Sequence, residues 1–373
     1  MASVSDSQCD KKFEFHPDYQ QDHRWFPWLR WCPTSSDQLA QAESKILKHI
    51  KPSYTTSFIT IEKDCHIRTI DVEAQEKVEG SQKTPLVMVH GLCGGIGVLV
   101  KSYNPLSRWR KVLAFDLLGF GRSSRVPLSD DANEVEEQYV TSIERWRERM
   151  GLDSFVLVGH SLGAYLSCAY TLRHPTRVKH LVLVDGWGFG VKPDEDVVWT
   201  RQGENVYSNE VSWWARGLIG ILGKLNPLAP LRITGPLGPW MMHVIRPDID
   251  MKYKRDIGDG LMSGYLYHAN TQNPTGENAF CALQGSVAWA KNPMLKRIGD
   301  IDQQVPITMI YGSRSWMDST QGQAVKESRP YSYVDVQLIK GGGHHVYADC
   351  PVEFNESIEK ICQMVDEDTE TRQ

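Results

Sequence analysis

FVLVGHSLGAYLSCAY, residues Phe155 to Tyr170, decides the fold. It opens as an apolar run, breaks at Gly159-His160-Ser161-Leu162-Gly163, and resumes with small, helix-compatible residues such as Ala164, Ser167 and Ala169. A buried strand that turns into a helix through a serine fenced by two glycines is a nucleophile elbow. So tight a turn strains the serine backbone, and side chains two positions before and after it would meet neighbouring backbone. Glycine at 159 and 163 relieves that crowding. The helix that follows aims its N-terminus at the site and favours developing negative charge there. Ser161 is therefore expected to be a nucleophile.

A serine hydroxyl needs a base to attack at neutral pH. In the chain order that goes with this elbow the histidine comes last. KGGGHHVYAD, residues 340–349, follows the final strand-like run and offers His344 and His345. His344 directly follows the glycines that would let the loop reach the elbow, and is expected to be the base; His345 would pack or face solvent. The acid should lie between Ser161 and His344, close enough to fix the imidazole tautomer. YGSRSWMD offers Asp318, which we expect to fill this place; Asp185, at the end of an earlier apolar run, is its competitor. Two backbone N–H groups should form an oxyanion hole. Leu162 would give one. The glycine-rich HGLCGGIG, residues 90–97, would give the other from Leu92 or Cys93, with His90 bracing the loop.

Outward from the elbow, PLVMVH (85–90), KVLAFD (111–116) and HLVLVD (180–185) repeat the continuous apolar pattern. Such runs fit parallel strands buried on both faces. TSFITI and HIRTIDV suggest a leading hairpin. Helices are expected over Ser36–Ile50, 131–150, 161–174 and 351–366. The rhythm stops after Asp185 and resumes at PITMIYG (306–312) and YVDVQLI (333–339). The economical division is a polar N-terminus (1–20), a Trp-rich segment and helix (21–50), a doubly wound α/β core in two parts (51–186 and 299–366), a helical cap inserted between them (187–298), and a charged, mobile tail (367–373). An insertion of this size suits a lid over an active site.

Composition narrows the function. The chain has 373 residues and a formal net charge of −5 with both signs interspersed, so no basic face for nucleic acid is expected. No apolar run is long enough to span a bilayer, and MASVSDSQCDKKFEFH has no apolar core of a secretory signal. Eight scattered cysteines lack metal or redox spacing and read as reduced thiols. We expect no cofactor and no metal, and a location in the cytoplasm or on a membrane surface reached from it.

RWFPWLRW, residues 24–31, places Trp25, Phe26, Trp28 and Trp31 beside Arg24 and Arg30. Indole rings favour the membrane–water interface, and the segment is too short to span, so it reads as a peripheral anchor. Trp187, Trp199, Trp213, Trp214, Trp240 and Trp289, with Met241, Met242 and Met262, would suit a greasy acyl pocket or form the core of the cap itself.

Several segments taken together carry a resemblance. WCPTS, AFDLLGFGRSSR, GHSLGAYLSCAYTLRHPTRVKHLVLVDGWGF, GPLG, YGSRSWMD and GGGHHVYADCPVEFN resemble the alpha/beta-hydrolase domain-containing protein 4/5 subfamily over about Trp25 to Val365. The resemblance implies an α/β-hydrolase fold, a mostly parallel doubly wound sheet with a helical cap, and proteins that dock on lipid droplets or membranes. One branch acts as a lysophospholipase on N-acyl phosphatidylethanolamines. The other carries Asn at the elbow and co-activates a triglyceride lipase, with a lipid-droplet coat protein as a further partner. This chain keeps Ser161 and so resembles the competent branch. The family has also been credited with acylating lysophosphatidic acid through an H-x4-D motif, which His344 and Asp349 match; Asp349 also stands where it could cap the helix after Pro351. The expected function is a serine hydrolase of phospholipid, lysophospholipid or glycerolipid esters. The alternatives are an acyl-CoA-dependent lysophosphatidic acid acyltransferase and a lipase co-activator.

Overall fold

Residues 31–76, 83–192, 197–199, 205–207, 228–286 and 289–371 are described by the computed structural model. Eight strands form one sheet: β1 (Tyr54–Glu62), β2 (Cys65–Val72), β3 (Leu86–Val89), β4 (Val112–Phe115), β5 (Phe155–His160), β6 (Val178–Val184), β7 (Ile307–Gly312) and β8 (Val334–Ile339). Their order in space is β1-β2-β4-β3-β5-β6-β7-β8. The leading hairpin β1–β2 is antiparallel and joins β4 antiparallel, while every pairing from β4 through β8 is parallel. Of the four continuous apolar runs, those in β3, β4 and β5 are fully buried strands and that in β6 is buried apart from Lys179 before it, as continuous hydrophobicity requires of a sheet covered on both faces.

Alternation along the strands sends side chains to two cores. Val87, Val89, Phe155 and Leu157 join one cluster with helices α3 (Ala132–Arg149) and α4 (Leu162–Arg173). Leu86, Met88, Val156 and Val158 join the other with α1 (Ser36–Leu47), α2 (Val100–Leu106) and α12 (Pro351–Thr371). Each such residue, fully buried, contributes about 1.5–3 kcal/mol. The α1 helix begins where Ser35 Oγ accepts the Gln38 N–H at 3.1 Å. It ends at Leu47, three residues short of the expected end. The last helix overruns its expectation: α12 carries the charged residues 367–371 as further helical turns, because nothing in that stretch breaks helix.

Between β6 and β7 lie α5 (Ala229–Ile233), α6 (Gly238–Ile245), α7 (Pro247–Ile257), α8 (Leu261–Asn270) and α9 (Thr275–Leu283), in the insertion expected as a cap. Trp187 and Met262 are buried, and Trp187 packs its ring on Tyr165 at 5.5 Å and Phe280 at 4.6 Å. Trp240 is largely exposed. Trp213 and Trp214 lie outside the described residues, as do Trp25, Phe26, Trp28 and the whole 1–20 segment. The seven described cysteines are all free thiols. Among the described residues no helix is long and apolar enough to cross a membrane.

The parallel strands carry their C-terminal ends to one edge. There the turns after β3, β5 and β6 and the loop after β8 meet, as functional loops of open parallel sheets do.

Candidate active site

Ser161 follows β5 directly, at φ 55° and ψ −117°. A non-glycine residue in that region is strained, and the surroundings hold it there. A Cβ on Gly159 would stand 2.4 Å from the Gly163 carbonyl oxygen, and one on Gly163 would stand 2.4 Å from the His90 carbonyl oxygen. Both glycines are therefore fixed by backbone crowding around the turn.

His344 stands on the loop between β8 and the short helix α11 (Val346–Asp349). Its Nε2 is 3.0 Å from Ser161 Oγ, and its Nδ1 is 2.6 Å from Asp185 Oδ2. A carboxylate can only accept here, so Nδ1 carries the proton and the Nε2 lone pair faces the serine hydroxyl. Asp185 is fully buried at the tip of β6 with φ 47°. Its Oδ1 also accepts the Gly312 N–H at 3.3 Å, and its Oδ2 accepts the Ser315 hydroxyl.

The expected acid was Asp318, and the structure does not bring it to the imidazole. Asp318 Oδ1 accepts the Thr320 N–H at 2.9 Å and the Thr320 hydroxyl at 2.7 Å, which occupies it at the start of α10 (Thr320–Ser328). The side chain of the YGSRSWMD stretch that does hydrogen-bond Asp185 is Ser315. The chain-order rule admits both Asp185 and Asp318, which follow the neighbouring strands β6 and β7 at the same edge. The signal that separates them is the aspartate at the very end of an apolar strand with glycine after it, LVLVDG.

The loop after β3 lies against the elbow: a Cβ on Gly91 would meet Ser161 Cβ at 2.8 Å. Five bonds shape it. His90 Nε2 accepts the Leu117 N–H at 3.0 Å, so Nδ1 is the protonated nitrogen and donates to the Gly91 carbonyl at 2.7 Å. The Gly94 N–H returns to the Gly91 carbonyl at 3.1 Å. Asn270 of α8 donates to the Cys93 carbonyl at 2.9 Å. Asp116 accepts the Ile96 N–H at 2.7 Å. Burial holds His90 down at about 4, which keeps it neutral in this bracing role. Leu92 and Cys93 follow Gly91 in this loop, with Cys93 at φ 63°, and Leu162 opens α4 immediately after Ser161.

His160, the residue inside the Gly-x-Ser-x-Gly motif, had no expected role. Its Nε2 donates to the His344 carbonyl at 2.8 Å, and burial holds its pKa well below the ordinary imidazole range. His345 packs against the rings of His160 at 5.4 Å and Tyr347 at 6.0 Å. The half-exposed Trp316 ring lies 5.2 Å from that of His344.

Asp349 does not cap α12 as expected of its position. Its Oδ2 accepts the Gly343 N–H at 2.9 Å, and its Oδ1 lies 3.3 Å from Lys252 Nζ. His344 and Asp349 are therefore linked through the backbone of the loop, while the imidazole itself faces Asp185. A groove of about 950 Å³ bounded by Trp109, Arg255 and Asn355 contains none of these residues, so hydrogen-bond geometry and not cavity size locates the chemistry. Among the described residues no cluster of His, Cys, Asp or Glu could hold a metal ion.

A family profile described as alpha/beta hydrolase fold matches residues 84–351. The chain belongs to the alpha/beta hydrolase family. Within it, similarity is to the alpha/beta-hydrolase domain-containing protein 4/5 subfamily. The chain is 44% identical over 333 residues to the (lyso)-N-acylphosphatidylethanolamine lipase of Homo sapiens, covering 89% of this chain and 94% of that protein. It is 43% identical over 336 residues to the human 1-acylglycerol-3-phosphate O-acyltransferase ABHD5, covering 89% and 92%. Among solved structures, a membrane phospholipase A described as a bacterial virulence factor superposes with a TM-score of 0.60 at 17% identity, covering 88% of this chain and 92% of that one. Naproxen esterase (carboxylesterase NP) of Bacillus subtilis gives 0.58 at 13%, covering 87% and 97%. At these identities the structural likeness speaks for the fold.

Proposed function

We propose that this alpha/beta hydrolase cleaves acyl esters of phospholipids, lysophospholipids or glycerolipids at a lipid droplet or membrane surface, through a covalent acyl-enzyme. The observation that carries the reading is the chain of contacts from Ser161 Oγ to His344 Nε2, 3.0 Å, and from His344 Nδ1 to Asp185, 2.6 Å. Both relatives named above have lipid esters in their names.

The geometry supports the steps in order. His344 Nε2 takes the hydroxyl proton as Ser161 Oγ attacks the ester carbonyl, and Asp185 stabilises the imidazolium that forms. The oxyanion is met by the N–H of Leu162, backed by the α4 N-terminus, and by Leu92 or Cys93 of the braced loop. His344 then protonates the departing alcohol, and water attacks the acyl-serine with the same histidine as base.

The lipid-surface part rests on exposure. Ile233, Leu237, Trp240 and Val244 are each more than half exposed along α5, α6 and the short turn between them, and Trp31 is 65% exposed beside them. Trp31 Nε1 donates to the Ile233 carbonyl at 2.9 Å, and Gly235 at φ 53° makes room for its ring. Trp31 is thus seated on the cap and offers its outer face with the others, a contiguous apolar surface of the kind that meets other molecules. Its occupation by lipid is consistent with interfacial tryptophan.

A fluorophosphonate probe tests the nucleophile. Covalent labelling of Ser161, lost in Ser161→Ala, is expected; release of fatty acid from lysophospholipid vesicles by the unlabelled protein alone would then establish hydrolysis. Labelling that persists in Ser161→Ala sinks the assignment.

A further inference from the structure

Ser313 and Arg314 hold the His344 loop at Gly341, and next to His344 itself two further side chains hold its backbone. His160 Nε2 donates to the His344 carbonyl at 2.8 Å, and Asp349 Oδ2 accepts the Gly343 N–H at 2.9 Å. Gly343 permits that approach: a Cβ there would stand 3.0 Å from Asp349 Oδ2. The first clamp belongs to the elbow. The second leads out of the core.

Asp349 keeps its second oxygen for the cap. Lys252 of α7 reaches it at 3.3 Å, with Asp349 only 10% and Lys252 only 18% exposed. Lys252 is oriented by Asp248 at 3.4 Å, and Asp248 in turn accepts both Arg246 Nε at 2.9 Å and Nη2 at 3.0 Å. A core lysine ties the backbones of both partners: Lys101 Nζ donates to the Lys252 carbonyl at 2.7 Å and to the Ala348 carbonyl at 3.1 Å, and pairs with Asp256 at 2.9 Å. Cap helix α7 and the turn after His344 therefore move as one unit or break several partly buried polar contacts, which is costly.

We infer that Lys252 and Asp349 form a positioning latch by which the seating of cap helix α7 sets the alignment of His344 on Ser161. The inference rests on the hydrolase reading above. It gives the His344-x4-Asp349 pattern a different purpose from an acyl-transfer dyad: Asp349 touches no reacting atom and acts through the Gly343 N–H on the loop that presents the base. Lys252, which no motif marks, is its counterpart. Misplacement of a reacting group by about 1 Å can cost roughly 100-fold in rate, so a latch two contacts removed from the imidazole can govern turnover.

The test uses the full chain and four variants: Asp349→Asn, Lys252→Met, their combination, and Lys252→Arg. Three readouts are taken: fluorophosphonate labelling rate, kcat and KM on a water-soluble short-chain ester, and Tm. Each of the first two single variants is expected to lose about ten- to a hundredfold in kcat and in labelling rate, at unchanged KM, the scale of a small misalignment. The double variant is expected to be no slower than the slower single, as coupled partners require. Lys252→Arg, which keeps the charge, is expected to stay within about threefold of wild type, which separates the latch from a folding defect. Rates within twofold of wild type in both singles, or losses that multiply in the double, overturn the latch while leaving the hydrolase intact. Asp349→Asn that hydrolyses and labels normally but no longer transfers acyl groups from acyl-CoA to lysophosphatidic acid also overturns it, in favour of the dyad. A wild type that neither labels nor hydrolyses overturns the hydrolase reading itself.

Discussion

Asp185 Oδ2 lies 2.6 Å from His344 Nδ1, although 159 residues separate them and the cap is inserted between. Asp185→Asn is expected to lower turnover by roughly 10⁴, because an amide in that place favours the wrong imidazole tautomer. Asp318→Asn is expected to stay within a few-fold of wild type, since its carboxylate serves Thr320 at the start of α10. Steady-state rates on a soluble ester decide between them, and the reverse ranking would return the acid to the later loop.

Ser161→Ala should remove turnover almost entirely, with a loss on the order of 10⁶ if the residue is the nucleophile of a complete triad. The fold should survive, and even gain, because Ala at φ 55° carries no more strain than Ser while losing a buried hydroxyl. Circular dichroism melts beside the activity assay separate the two effects.

Gly163→Ala is a different kind of lesion. The added methyl would stand 2.4 Å from the His90 carbonyl oxygen and 2.6 Å from that of Val89, both on backbone that cannot swing away. Overpacking of this sort costs about 3 kcal/mol, read as a shift of the urea midpoint, and the displaced β3 loop should take oxyanion stabilisation with it.

Buried histidines give the protein an acid-side weakness. Burial lowers His90 and His180 from 6.5 to about 4, and holds His160 well below its ordinary range. Below pH 6.5 the unfolded chain binds protons that the folded chain refuses, so stability is full above that pH and falls steadily down to about pH 4. Each ring held at about 4 should cost about 2 kcal/mol between pH 7.5 and pH 5, so the unfolding free energy at pH 5 should be about 4 kcal/mol or more below the value at pH 7.5. A flat profile across that interval would mean that these rings are charged in the fold.

The parts of the site most legible in the sequence were those whose chemistry is local. The elbow could be read from Gly159, Ser161 and Gly163 because so tight a turn leaves no room for a side chain at 159 or 163, and the motif that results lies within five residues. His344 could be read because a glycine run and chain order both point to it. Asp185 was named but not chosen, since deciding between two aspartates needs the neighbouring positions of β6 and β7, a tertiary fact. His160 and Lys252 carried no signal of their own: one acts on a carbonyl 184 residues away, the other on a carboxylate across the cap, and no periodicity reports such pairs. The Trp31 reading changed character for the same reason, because the carbonyl of Ile233 that receives its indole N–H lies 202 residues downstream.

That contact shapes the remaining prediction, which concerns Trp31, Leu237 and Trp240. All three are more than 60% exposed, and Trp31 joins the other two through Ile233 and Gly235. Each ring or branched chain fully buried in lipid is worth about 1.5–3 kcal/mol, and even partial insertion of three should add several kcal/mol to a peripheral association. Replacing all three with Ser should therefore lower partitioning to phosphatidylcholine vesicles by roughly 100-fold or more, at about 1.4 kcal/mol for each factor of ten. The loss should persist at high salt, because apolar insertion is not screened as ion pairing is. Turnover of a water-soluble ester should stay near wild type, since none of the three touches Ser161, His344 or Asp185. Vesicle sedimentation and the soluble-ester assay on the same preparation check both halves. Unchanged sedimentation would show that this face does not meet lipid, and the anchor would then have to lie elsewhere in the chain.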